Sequence, residues 1–264
     1  MSCNNAPQGG IFSMNKPECF VEYVMGQVLL GINSKDKDAK NFEVAKYVKL
    51  AVSSLEKGRL HETITYLESA LEICEREDVY NIMGLAYFFM GDDDKSFDCF
   101  DKALEINSGY IEAHYNTALL FHRLKMYDRA LEIFDEIIDD GGINGSALEG
   151  AYNNKACMLI EEDKHDEAIK LLKTVILLND TCIESLINLG NVYYKLNNFK
   201  EAKKYYDKAL LVSNQCAPVY IGLGAVAFEN GDFKKAGNLF DKSLSINKFS
   251  EAAQENKKIL SKYN

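Results

Sequence analysis

A small residue recurs every 34 residues through much of this chain. Ala202 lies in Asn198-Phe199-Lys200-Glu201-Ala202-Lys203-Lys204-Tyr205-Tyr206, and stepping 34 residues either way lands on Ala168 and Ala236. Further upstream the matching places hold Ala130, Ser96 and Thr63. Self-similarity at such a period constrains the fold more than any single motif. Each repeat is one supersecondary unit whose apolar face is buried only by stacking on its neighbours.

The unit 183–216 shows what is repeated. Apolar residues at Leu186, Leu189 and Tyr193, and again at Ala202, Tyr206, Ala209 and Leu210, follow the three-four spacing of two amphipathic helices. Leu196-Asn197-Asn198 breaks them apart, and the small Gly190 and Ala202 let the two helices cross closely. Six units fall in register: 44–76, 77–110, 111–148, 149–182, 183–216 and 217–250. Their eighth position holds Ala51, Gly84, Ala118, Ala156, Gly190 and Gly224. The twenty-fourth holds Leu67, Phe100, Phe134, Leu172, Tyr206 and Phe240, and the twenty-seventh Ala70, Ala103, Ile137, Val175, Ala209 and Ser243.

This pattern resembles the tetratricopeptide repeat family, over 207 of 264 residues. The family's proline at position 32 is absent throughout; Glu75, Ser108, Gly142, Asp180, Asn214 and Lys248 stand there. Lys155 replaces a leucine at position 7, and Ser54 with Thr63 makes the first unit the most degenerate. The third unit carries four extra residues in a glycine-rich stretch, 139–145. Ser146 and Glu149 then fit a capping box, so the next helix is expected to start about one turn early. The resemblance implies an all-α, right-handed superhelix: a solenoid of six helix-turn-helix repeats over 44–250 with N- and C-terminal capping helices. Residues 1–16 are expected to form a disordered tail, and 17–43 a helix over the apolar stretch 20–32 followed by a linker. A capping helix is expected over 251–264, with Ser250 as its cap and Ala252, Ile259, Leu260 and Tyr263 on its inner side.

Bulk properties narrow the function. The net charge is -10 with no basic run, which disfavours nucleic acid and anionic membranes as partners. The seven cysteines have no metal-ligand spacing and read as reduced thiols of a cytoplasmic protein, the helical ones buried. The N-terminus lacks the pattern of a signal peptide, and no apolar stretch is long enough to span a bilayer. His114 and His122 share a helix but stand eight apart, so they form no helical metal pair. No catalytic triad, P-loop or nucleotide-binding fingerprint is present, and acidic runs such as Asp92-Asp93-Asp94 read as solvated turns. The chain is read as a non-enzyme without cofactor or metal.

The resemblance also places a peptide-binding groove on the first helix of each repeat. Position 12 carries Phe88, His122, Tyr194 and Phe228, with Phe89 beside the first, and position 5 carries Asn81, Tyr115, Asn153, Ile187 and Ile221. An aromatic column facing solvent marks a partner site; burial by the superhelix or a terminal segment is the other reading. Asn116, Asn154 and Asn188 recur at position 6, with Asn191 one turn on. Such a ladder suits the backbone amides of an extended peptide, or else serves local packing. The family's clamp for chaperone C-terminal carboxylates is missing, since Asn153, Cys157, Asn188, Pro218 and Gly222 supply no cation. The expected function is a protein-interaction scaffold or adaptor that binds a partner's peptide segment. The alternative is a self-associating structural protein whose apolar N-terminal helix docks on a neighbouring subunit.

Overall fold

The structure, a computed structural model, describes residues 39–140 and 146–263. Within them the chain is helical and has no strand. Thirteen helices follow in order: α1 (Ala39–Glu56), α2 (Leu60–Leu71), α3 (Glu77–Met90), α4 (Asp93–Ile106), α5 (Ile111–Arg123), α6 (Tyr127–Asp139), α7 (Ser146–Glu161), α8 (His165–Leu178), α9 (Ile183–Lys195), α10 (Phe199–Val212), α11 (Ala217–Glu229), α12 (Phe233–Ile246) and α13 (Glu251–Leu260). The chain divides inside α7 into two compact units, one ending at Ala151 and the other beginning at Tyr152. In the first, α1 packs on α2, α3 on α4 and α5 on α6, and each pair stacks on the next. In the second, α9 packs on α10, α11 on α12, and α13 on α12.

The small and large columns explain the crossings. Thr63, Ser96, Ala130, Ala168, Ala202 and Ala236 are all fully buried, as are Leu67, Phe100, Phe134, Leu172 and Tyr206 at position 24. A Cβ added to Gly190 would lie 2.4 Å from Cε1 of Tyr206, and one on Gly224 equally close to Phe240. The aromatic ring therefore occupies the space that a side chain at position 8 would need. Thr63 and Ser96 are less degenerate than their residue types suggest. Ser96 Oγ donates to the Gly84 carbonyl at 2.9 Å and Thr63 Oγ1 to the Ala51 carbonyl at 3.3 Å, each tying the two helices of its pair.

Each pair turns through one left-handed residue. Gly58, Gly91, Lys125, Asp163, Asn197 and Gly231, the fifteenth position of every unit, have φ between 57° and 79°, and no other described residue has a positive φ. At position 16 the side chains of Asp92, Asn198 and Asp232 accept the backbone N–H three residues on, closing the start of α4, α10 and α12. The acidic Asp92 is thus a helix cap as well as a solvated turn residue.

Two expectations differ from the structure and a third, the early start of α7, agrees with it. Residues 39–43, read as linker, are the first turn of α1. Helix α13 is capped by Ser250, which accepts the Ala253 N–H at 3.4 Å, but it ends at Leu260 and buries Ala253, Asn256 and Leu260. Ala252 and Ile259 are half-buried, because the inner side of α13 is centred one residue further on. Helix α7 begins at Ser146, one turn ahead of the unit boundary at 149. The Ser146 side chain, the expected tail and helix within 1–38, and residues 141–145 lie outside the described residues.

Candidate peptide-binding surface

The groove residues fall on α3, α5, α7, α9 and α11, the first helices of their pairs. In the first unit, Asn116 Nδ2 donates to Asn81 Oδ1 at 2.8 Å. Both side chains are only 1% exposed, so this amide rung joins α3 to α5 and is closed to a ligand. Asn116 Oδ1 is buried with no hydrogen-bond partner. Tyr115 is also buried, its ring 6.0 Å from Phe134 and pressed against Gly150. Asn81, Tyr115 and Asn116, expected to face a peptide, are therefore packing residues.

Phe88 and Phe89 are half-buried and meet edge to face, 5.7 Å between ring centres. Arg123 lies 3.6 Å over the Phe88 ring, donates to the Phe88 carbonyl at 2.5 Å and pairs with Asp93. Burial lowers the Arg123 pKa, and the carbonyl and carboxylate satisfy part of its charge. His122 is half-buried, its ring 5.4 Å from that of Tyr127.

The second unit holds a rung of the same design. Asn188 Nδ2 donates to Asn153 Oδ1 at 3.2 Å and approaches Cys157 Sγ at 3.3 Å. Here both amides, together with Asn154 and Ile187, are only half-buried. Asn191, by contrast, is 3% exposed and accepts the Tyr206 hydroxyl at 2.7 Å, bonding the two helices of its own pair. Tyr194 is 8% exposed and donates to Glu229 at 3.1 Å. Burial first, then the Glu229 carboxylate, pushes the Tyr194 phenol pKa up. Ile221 is buried, and Phe228 is half-buried between Phe233 and Tyr263. Asn191, Tyr194 and Ile221 thus leave the expected ligand-facing set, because each is packed inside the unit.

One spacing unites these contacts. Asn81–Asn116, Asn153–Asn188, Phe88–Arg123 and Tyr194–Glu229 each span 35 residues. Position 5 reaches position 6 of the next unit, and position 12 reaches position 13. Arg123 and Glu229 escaped the sequence reading, although a step of one period plus one residue leads to both. Among the described residues no group of three or more His, Cys, Asp or Glu is arranged to hold a metal ion, and no helix is long and apolar enough to cross a membrane.

Paired helices that cross on small residues and bond to their successors at a fixed step define an α-helical repeat protein. The chain belongs to the tetratricopeptide repeat family, whose models match residues 77–110, 112–140, 149–182 and 183–214. It is similar to a TPR repeat-containing protein of Methanocaldococcus jannaschii, 23% identical over 170 residues, which cover 62% of this chain and 30% of that relative. The chain thus spans under a third of that relative's length. Among solved structures, pilF of Pseudomonas aeruginosa matches with a TM-score of 0.68 at 18% identity, over 83% of this chain and 99% of that one. A tetratricopeptide repeat protein from Parabacteroides merdae matches with a TM-score of 0.65 at 18% identity, over 93% and 96% of the two chains. Proteins of this family generally mediate protein–protein interaction and are typically non-enzymatic.

Proposed function

We propose that this chain is a non-enzymatic adaptor that binds a partner's peptide segment along the face formed by its first helices. The observation that carries the reading is the half-exposed Asn153–Asn188 rung beside the half-exposed Ile187. The rung and the Cys157 contact use the Nδ2 donors of Asn188 and one acceptor site of Asn153, which leaves Asn188 Oδ1 and Asn153 Nδ2 next to an apolar side chain. That combination suits the backbone of an extended segment and one of its apolar side chains. The acidic chain favours a neutral or basic segment, and the missing cations disfavour a carboxylate-headed one. The same charge argues against nucleic acid and anionic membranes. Free thiols, two of them buried with raised pKa values, fit a cytoplasmic protein.

The test is the double variant Ile187→Ser/Asn188→Ala, compared with the unaltered chain in quantitative partner capture from the native host. Circular dichroism should be unchanged, and a saturable partner should drop by about tenfold. Equal capture by both proteins would sink the groove.

A further inference from the structure

We propose a second docking surface on the first unit: an acidic-rimmed apolar notch between α4 and α5 that takes a lysine or arginine side chain of a partner's basic segment. Phe97, Phe121 and Leu124 form its apolar part, with Asp93, Asp94 and Asp98 around them. Phe97 is 40% and Leu124 43% exposed, and the two phenylalanine rings lie 6.0 Å apart at a 40° tilt. These residues occupy positions 11, 14, 17, 18, 21 and 22 of their units, none of which is a groove position.

Two of the three carboxylates of the notch carry uncompensated charge. Asp94, Phe97 and Asp98 stand at i, i+3 and i+4 on α4 and so share one face, where two like charges one turn apart repel. The helix has two lysines, and both turn elsewhere. Lys95 pairs with Asp92 at 3.0 Å and lies over the Tyr87 ring, while Lys102 lies over Tyr80. Arg123 pairs with Asp93, which leaves Asp94 and Asp98 exposed with no cation bound to either among the described residues. The surroundings have the same sign. Residues 39–151 hold 11 Lys and Arg against 22 Asp and Glu, a net charge of -11.

The shape selects one kind of occupant. A lysine or arginine has an apolar stem and a cationic head. Its stem would lie on Phe97 and Phe121, and its head between Asp94 and Asp98, where it would relieve their repulsion. Arg129 already lies 5.5 Å over the Phe121 ring, so the cation–π attraction would come from Phe97. A neutral apolar segment would leave both carboxylates unpaired, and an acidic one would be repelled.

The test titrates the full chain with a labelled peptide of alternating lysine and leucine, read by fluorescence anisotropy. Asp94→Lys/Asp98→Lys should weaken binding by about tenfold, and so should Phe97→Ser. The control Glu132→Lys/Glu136→Lys makes the same charge change on exposed residues of α6 and should cost less than about twofold. Binding through the notch should survive Ile187→Ser/Asn188→Ala, so failure of the groove leaves this surface standing. Equal weakening by the two charge-reversal pairs would overturn the proposal, because the peptide would then sense only net charge. Undiminished binding by Phe97→Ser would overturn it as well. Circular dichroism of every variant must match the unaltered chain, and Asp94→Asn/Asp98→Asn should weaken binding in the same direction if the reversal pair fails to fold.

Discussion

Six turns of one geometry, filled by four residue types, make a controlled comparison at the scale of single residues. Glycine adopts a positive φ freely, whereas a Cβ in that region clashes with the following carbonyl; asparagine and aspartate tolerate it better than lysine. Lys125 at φ 61°, Asp163 at 58° and Asn197 at 57° therefore carry strain that Gly58, Gly91 and Gly231 do not. Replacement by glycine is expected to stabilise in the order Lys125→Gly, Asp163→Gly, Asn197→Gly, from about 1 kcal/mol down to about zero. Gly231→Ala is expected to destabilise by about 1 kcal/mol. Urea unfolding midpoints check the series, and a lysine variant no more stable than the asparagine one would contradict the strain argument. A Cβ added at Gly231 would meet nothing within 4 Å, so backbone strain alone accounts for its loss.

At the scale of helices, position 16 decides how each second helix starts. Asp92, Asn198 and Asp232 cap α4, α10 and α12, but Arg59, Met126 and Lys164 leave the first N–H groups of α2, α6 and α8 without a side-chain acceptor. Asn198→Ala is expected to cost about 1 kcal/mol and Lys164→Asn to gain about as much, both read from thermal melts. The exposed Lys164–Glu162 pair lost in the second variant contributes little. These elements were legible in the sequence because the period assigns every residue a place, and the buried columns at positions 8, 20, 24 and 27 follow from it. The ligand-facing set was less legible. An asparagine at position 6 reads alike whether its amide turns to a peptide or to the preceding unit. Asn116 found Asn81 and is sealed, while Asn188 found Asn153 and stays half-open, and only the packing around each rung separates them. Thr63 misled for a related reason. A hydroxyl fits a small-residue column when a backbone carbonyl of the partner helix lies within reach.

At the scale of the whole molecule, burial of titratable groups sets an alkaline limit. Burial holds the Cys99 thiol at about 11 and Cys157 at about 12, against an ordinary 9.0, and raises the Tyr194 and Tyr206 phenols. These groups are neutral in the fold and lose their protons first in the unfolded chain. Their contribution is complete below about pH 9 and is lost as the pH rises through the folded values. Melting temperatures should hold up to about pH 9 and fall beyond it; a flat profile up to about pH 11 would show that these groups titrate alike in both states. The ledger of charge is unequal as well. Residues 152–264 carry 16 Lys and Arg against 14 Asp and Glu, so the acidity of the chain resides in its earlier part.

The rungs between successive first helices have a consequence for synthesis. The side-chain hydrogen bonds Asn81–Asn116, Phe88–Arg123, Asn153–Asn188 and Tyr194–Glu229 each span 35 residues. Contacts so near in sequence lower the contact order and favour fast folding. As it leaves the ribosome, each helix pair meets its bonding partner once one further period has emerged. Pairs made early can settle before later ones exist, which shortens the time that apolar faces stay open to aggregation.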